Sequence, residues 1–272
     1  MTIDEHPAAS VGSVSWIGAG AYEVGGEYHD RATTFFVAVK WDLLTSLASS
    51  LRNGIACEFG EKFLIGNFNM VRRITFADGI SWVARLRLPE LNGVFGGRDA
   101  LDKACALKIE IASMKFFKSK TSIPVPEVYS YNVDPTNDVG APYILMDYIH
   151  GTVAIELRMA RNGYSDLFGT PDQDQRFRQQ TAKVQATLSS FKFDQIGSLY
   201  QNEETLEFFI GLDLKTGKGP WASSTDYYTD LAFRAIQVCV ADAPADVQES
   251  PSFTVPVLFK HLISLYGDNG SR

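Results

Sequence analysis

Phe76-Ala77-Asp78-Gly79-Ile80-Ser81-Trp82-Val83-Ala84-Arg85-Leu86 is the stretch on which the fold turns. Asp-Gly between two apolar runs is among the strongest short hairpin signals, because a two-residue turn demands backbone angles that Asp tolerates and Gly adopts freely. The runs on either side, residues 59–75 and 80–88, are rich in β-branched and aromatic side chains, so an antiparallel β-pair is predicted here. Pro89 ends the second run, since it has no N–H to give a ladder.

Upstream, Trp41, Leu43, Leu44, Leu47 and Leu51 recur at helical spacing and are closed by Asn53-Gly54, a helix stop. The first 30 residues are rich in Gly and small residues. They include Trp16-Ile17-Gly18-Ala19-Gly20-Ala21-Tyr22-Glu23-Val24-Gly25. That run lacks the third glycine of a dinucleotide fingerprint, and Tyr28-His29-Asp30 are not expected to continue it as a helix, so a dinucleotide enzyme is set aside.

Downstream lies a glycine-rich loop at 92–97. Asp99 is then expected to cap a helix over 100–118 carrying Ala104, Leu107, Ile111 and Met114 on one stripe. Pro124 and Pro126 force 121–127 to be extended. Strands are predicted at 128–133 and 143–149, joined by turn residues 134–140. After Gly151 the pattern is mainly helical, with helices expected at 153–161, 172–191, from Thr225 or Asp226 toward Val240, and at 255–266. The fold class is therefore α+β: an antiparallel sheet with one inserted helix, then a helical part, in two lobes joined near residue 150. The expected domains are an N-terminal extension with a helix (1–55), a sheet lobe (56–150) and a partial helical lobe (151–272).

Composition narrows the function classes. The 272 residues carry a formal charge of −7, which argues against a nucleic-acid partner and a polybasic membrane anchor, because phosphate backbones are held by a surplus of Lys and Arg. No run approaches the ~18 apolar residues of a membrane span. The opening MTIDEHPAAS has two acids and no base, unlike a presequence, so a cytoplasmic protein is expected. Three widely spaced cysteines (Cys57, Cys105, Cys239) suggest neither a disulfide framework nor a zinc site.

Three features could act together on phosphate. Gly66-Asn67-Phe68-Asn69 falls at a turn between strands, where small residues let backbone N–H groups approach an anion. Arg85 is a lone cation in an apolar strand, placed after a hairpin that returns toward that turn. Glu110 lies on the following helix. A strand cation held by a helix carboxylate positions positive charge on nucleotide phosphates. Each also has an ordinary structural reading, as a turn, a rim cation and a solvated helix charge.

Four segments together resemble the aminoglycoside phosphotransferase and choline-kinase-like family, in its fungal branch. They are Gly66-Asn67-Phe68-Asn69-Met70-Val71, the hairpin above, Thr121-Ser122-Ile123-Pro124-Val125-Pro126-Glu127-Val128, and Ala141-Pro142-Tyr143-Ile144-Leu145-Met146-Asp147-Tyr148-Ile149-His150-Gly151. Phe193-Asp194-Gln195-Ile196-Gly197-Ser198-Leu199-Tyr200 and Gly219-Pro220-Trp221 are similar to the same branch, so the likeness spans about residues 40 to 266. The resemblance implies a protein-kinase-like two-lobe fold, ATP and magnesium as cofactors, and phosphoryl transfer to a small-molecule hydroxyl. It implies that Gly66, Asn67 and Asn69 lie over the triphosphate. Arg85 stands for the usual strand lysine with Glu110 as partner, Met146 is the gatekeeper, and the backbone of Asp147 and Ile149 meets adenine.

Such proteins carry a His-Gly-Asp-x-x-x-x-Asn loop and a second magnesium-binding Asp. Neither motif occurs in this sequence, so no catalytic or metal residue is assigned. The expectation is a chain that stops just short of that loop, inactive or incomplete as it stands. It would expose apolar surface near 172–191 and 255–266, which a protein partner would cover. Asp226 and Asp268 are weighed as substitute bases. A nucleotide-binding or partner-binding pseudokinase-type protein is the alternative.

Overall fold

The computed structural model describes residues 16–91, 100–151, 154, 167–242 and 251–266. The glycine-rich loop at 92–97, Asp99, nearly all of the helix expected at 153–161, and Asp268 lie outside the described residues. Five strands form an antiparallel sheet: β1 (Cys57–Ile65), β2 (Asn69–Phe76), β3 (Ser81–Arg87), β4 (Val128–Asn132) and β5 (Tyr143–Asp147), in the spatial order β1-β2-β3-β5-β4. The β2–β3 register runs without a break from Asn69↔Arg87 to Thr75↔Ser81. The turn between those two strands carries Gly79 at φ 84°, a left-handed conformation that only glycine adopts cheaply.

One face of this sheet makes the core. Met70, Ile74 and Phe76 on β2, Trp82, Ala84 and Leu86 on β3, and Tyr143 and Leu145 on β5 are buried together, as strand alternation requires. Two helices add to the same core. The second, α2 (Trp41–Leu51), matches the expected helix and ends at Asn53 and Gly54, both at positive φ. The first, α1 (Glu27–Ala38), corrects the expectation that Tyr28-His29-Asp30 would not be helical. Its polar, Thr-containing sequence gives weak helical periodicity, and Thr33 bonds back to the His29 carbonyl. Tertiary packing of Phe35 and Val39 supplies what propensity lacks.

A cation sits inside this contact. Arg72 points to the core side of β2 at 8% exposure. Its guanidinium lies 4.9, 4.6 and 4.7 Å from the rings of Phe36, Trp41 and Phe59, and it donates to the Gly60 carbonyl at 2.7 Å. Burial lowers its pKa. Cation–π attraction in a desolvated setting is strong enough to hold such a group in place, and it binds α1, β1 and α2 to one side chain.

Contacts divide the chain into two compact units, 1–96 with 114–191 and 97–113 with 192–272. Helix α3 (Lys103–Lys120) belongs partly to each. It starts later than expected, at Lys103, and the Asp102 carboxylate accepts from the Cys105 N–H at 2.7 Å. In the first unit, α4 (Pro171–Ser190) opens on a capping box between Thr170 and Gln173. The second unit holds a hairpin of β6 (Ser198–Gln201) and β7 (Phe208–Gly211), and the helices α5 (Ser224–Asp242) and α6 (Pro251–Tyr266). The indole N–H of Trp221 and the ammonium of Lys218 both bond to Asp230, at 2.8 and 2.6 Å.

The hairpin tip supplies a pH-dependent contact. Arg52, just after α2, donates twice to the Asp78 carboxylate, at 3.0 and 2.8 Å. It also lies 4.4 Å from the Phe76 ring. Hydrogen bonding from Arg52 holds the Asp78 carboxyl below the usual carboxylate range. A depressed pKa gives stability that is present above the unfolded value of about 3.9 and lost as pH falls through the folded value. Asp78→Asn is therefore expected to flatten the acid limb of a Tm-against-pH curve below about pH 4; an unchanged limb would remove this pair from the acid response.

Candidate functional site

The second face of the sheet is where the expected site residues fall. Period-2 alternation puts Asn69, Val71 and Arg73 of β2, Val83, Arg85 and Arg87 of β3, and Ile144 and Met146 of β5 on the side opposite the α1–α2 core. The register sets them in rows: Asn69 beside Arg87, Val71 beside Arg85 beside Ile144, and Arg73 beside Val83 beside Met146. Directly opposed residues in antiparallel strands lie about 4.5–5.5 Å apart at Cα. One row is thus an apolar pair bracketing a guanidinium, and the next puts Val83 against Met146. Val83 and Ile144 are buried, while Val71, Arg85, Arg87 and Met146 are half-buried.

The turn from β1 to β2 lies at the Asn69–Arg87 end of these rows, one row beyond Arg85. Its Gly66 N–H donates to the Asn69 carbonyl at 3.0 Å, so that N–H closes the turn itself. A Cβ on Gly66 would meet no heavy atom within 4 Å, and its φ is not left-handed; the chain itself does not demand glycine there. The turn is fastened from two sides. Arg31 of α1 donates to the Asn67 carbonyl at 2.6 Å, and the Leu88 N–H donates to the Phe68 carbonyl at 2.9 Å.

At the other end, β5 runs out through Asp147 to Ile149. The Asp147 carboxylate has a structural task. It accepts from the Glu127 N–H at 2.8 Å and from the Tyr129 hydroxyl, with the Lys118 ammonium 3.7 Å away. Burial, reinforced by the hydrogen bond to Asp147, pushes Tyr129 up to about 12. The Asp147 N–H bonds to the Glu127 carbonyl at 3.0 Å, so that donor is committed within the sheet. Tyr148 N–H returns to the Ser81 carbonyl at 3.3 Å, and Ile149 is 56% exposed.

The structure thus brings Asn69, Arg85 and Met146 onto one sheet face, with Gly66 and Asn67 in the adjoining turn, Asp147 at the end of β5 and Ile149 just beyond it. Glu110 lies on α3 in the part assigned to the second unit, whereas Arg85 belongs to the first. Their pairing stays an expectation from the resemblance. Arg87 was not foreseen, although Arg85-x-Arg87 at strand spacing was the signal. Asp226, weighed as a substitute base, instead closes the start of α5. It accepts from the Ser223 hydroxyl at 2.8 Å, and its N–H donates back to that hydroxyl at 3.1 Å. Among the described residues no group of three or more His, Cys, Asp and Glu side chains could hold a metal ion.

No protein-family model matches the chain. It is 37% identical over 98 residues to the altered inheritance of mitochondria protein 9, mitochondrial, of Kluyveromyces lactis, covering 36% of this chain and 16% of that protein. It is 29% identical over 143 residues to a subtelomeric hrmA-associated cluster protein of Aspergillus fumigatus, covering 53% of this chain and 25% of that one. The matches therefore span a quarter or less of these relatives' length. Among solved structures, the Rio2 kinase–ADP/Mg2+–phosphoaspartate complex from Chaetomium thermophilum aligns at 14% identity and a TM-score of 0.33, over 83% of this chain and 70% of that one. No described helix is long and apolar enough to cross a membrane.

Proposed function

We propose that the second face of the sheet is the nucleotide-binding face of a kinase-like lobe, related to the aminoglycoside phosphotransferase family. Adenine would lie by Val83 and Met146, with the phosphates toward Arg85 and the 66–69 turn. The observation that carries this reading is the row Val71–Arg85–Ile144 beside the row Val83–Met146, with the hinge backbone leaving directly from Met146. An apolar strip next to one guanidinium suits a molecule with a flat base at one end and anionic charge at the other. The activity implied is ATP-dependent phosphoryl transfer to a small-molecule hydroxyl.

ATP fits these residues and would supply the transferable phosphoryl group. Arg85 would offset phosphate charge. Asp147 would turn its carbonyl, and Ile149 its N–H, to the base edge. Magnesium, which the resemblance also implies, finds no ligand set among the described residues, so no step is routed through it. The chain's own contribution is binding and charge compensation. The cytoplasmic location stands as a proposal, beside a relative whose name includes the word mitochondrial.

The test is at the hinge backbone. Ile149→Pro removes one N–H while the exposed side chain gives up little packing. Titration calorimetry is expected to show adenosine and ATP weakened several-fold, the size of one lost hydrogen bond, with tripolyphosphate unaffected. Wild-type protein that binds neither adenosine nor ATP would overturn the reading.

A second reading, a partner-binding protein of the pseudokinase type, draws on one observation. Val255, Leu258, Leu262 and Leu265 recur along one side of α6, and all four are at least half exposed. Phe177 and Leu188 of α4 are also exposed, in line with the apolar surface expected near both helices. Such rows are what a covering partner would bury.

A further inference from the structure

We infer that Arg87 is a second phosphate-binding residue of this face, and that Arg87 and Arg85 form a two-guanidinium edge for the di- or triphosphate of a nucleotide. The inference rests on the nucleotide-face reading above. The observations behind it are independent of Glu110 and of any metal.

The β2–β3 ladder is continuous through this region, so Arg85 and Arg87 project from the same face, about 7 Å apart along the strand. With flexible arginine stems, that spacing lets two cations reach neighbouring phosphates of one ligand. Arg87 lies beside Asn69, the last residue of the 66–69 turn. Its guanidinium carbon is 5.0 Å from the centre of the Phe68 ring. Phe68 is itself 46% exposed, and its carbonyl is fixed by the Leu88 N–H. The ring therefore stands on a secured turn, with the Arg87 guanidinium carbon over its face. Cation–π attraction to a ring face positions the cation without using its N–H donors as hydrogen bonds, and the guanidinium fork can grip a phosphate in two places.

The third cation on this face has a different task. Arg73 donates twice to the Ser81 hydroxyl, at 3.0 and 2.8 Å, and lies 4.7 Å from the Tyr148 ring. It braces the start of the hinge at the base end of the rows. The face thus carries Arg73 near the base end, tied to Ser81 and Tyr148, and Arg85 and Arg87 toward the turn. In a chain of net charge −7, a local pair of guanidiniums is a selective feature rather than part of a general basic surface.

The test is calorimetric titration in EDTA, so that only the chain's own cations are read. The probes are ATP, ADP, adenosine and inorganic tripolyphosphate, applied to wild type, Arg87→Gln and Arg87→Lys. Circular dichroism melts confirm that each variant is folded. Arg87→Gln is expected to weaken ATP, ADP and tripolyphosphate about tenfold or more, the range of a lost charged hydrogen bond, and to leave adenosine unchanged. Arg87→Lys recovers part of the loss, because a point charge replaces a fork. A folded Arg87→Gln variant that binds ATP and tripolyphosphate as wild type does overturns the inference while leaving the nucleotide face intact. Wild type that binds tripolyphosphate through Arg87 but not adenosine keeps the anion edge and overturns the nucleotide reading instead.

Discussion

Trp82→Ala is expected to cost about 3–5 kcal/mol of folding stability, the range for removing a buried tryptophan. Trp82 is 3% exposed at the middle of the sheet core. It stacks on Tyr129 with ring centres 3.8 Å apart and meets the Phe76 edge at 4.8 Å. Its backbone pairs with Ile74 on one side and Asp147 on the other. Cutting the side chain to a methyl leaves a void beside the Tyr129 and Phe76 rings, which sit on strands of the sheet and cannot fully collapse into it. Against a total stability of about 5–15 kcal/mol for an ordinary domain, this is a large share. Urea titration followed by far-UV circular dichroism is expected to show a much lower midpoint, and Trp82→Phe a smaller loss.

The same variant has an alkaline signature. Tyr129 is raised to about 12, chiefly by burial, and part of that burial is the Trp82 ring. A raised pKa gives stability that is complete below the unfolded value of about 10 and lost as pH climbs through the folded value. Removing Trp82 opens Tyr129 to water, an effect larger than the small lowering contact from the indole that is lost with it. Its ultraviolet titration should therefore move down from about 12 while the bond to Asp147 keeps it raised, and the alkaline loss should begin from a smaller advantage. A Tyr129 titration unchanged by the substitution would mean that the stacked pair does not supply the burial.

Why these positions were legible and others were not has a physical explanation. The Asp78-Gly79 turn and the runs beside it specify a hairpin locally, and period 2 then divides Trp82, Ala84 and Leu86 from Val83, Arg85 and Arg87. Trp41 to Leu51 is likewise a local signal, an apolar stripe with a stop. Helix α1 was not visible, because Glu27-Tyr28-His29-Asp30-Arg31 has the composition of a loop and the helix is held by what it touches. The buried Arg72 was hidden for the same reason. Nothing near it in sequence announces that Phe36, Trp41 and Phe59 will surround it, since those rings arrive from three other elements. The part of Asp102 at the start of α3 was not singled out because several Asp residues near a helix start are equivalent in sequence.

For the site, residue types were legible but their contacts were not. Arg85 could be singled out as a cation among apolar neighbours. That Val71 and Ile144 bracket it depends on strand order β2-β3-β5, a non-local fact. Asp147 is the converse case. It was singled out for its backbone, whereas its carboxylate turns out to be a latch on Glu127 and Tyr129.

That bracketing makes Arg85 the sharpest probe of function. Arg85→Glu is expected to take ATP binding out of the measurable range while adenosine binding persists. Removing a charge-assisted contact to phosphate costs about 1.5–3 kcal/mol, roughly a 10- to 150-fold loss. Placing a carboxylate there adds like-charge repulsion of several kcal/mol. Arg85→Met keeps the length and apolar stem of the side chain without the charge, and is expected to show only the first of these losses. Lying between Val71 and Ile144, a methionine fits the apolar row, so its melting temperature should stay near that of wild type. The order wild type, then Arg85→Met, then Arg85→Glu for ATP, with a flat series for adenosine, is specific to a cation that meets phosphate. A structural cation would move the two ligands together through the fold, and a surface cation would move neither. If Arg85→Met is stable and binds ATP as tightly as wild type, the strand arginine does not serve the nucleotide, and the kinase-like reading loses its central residue.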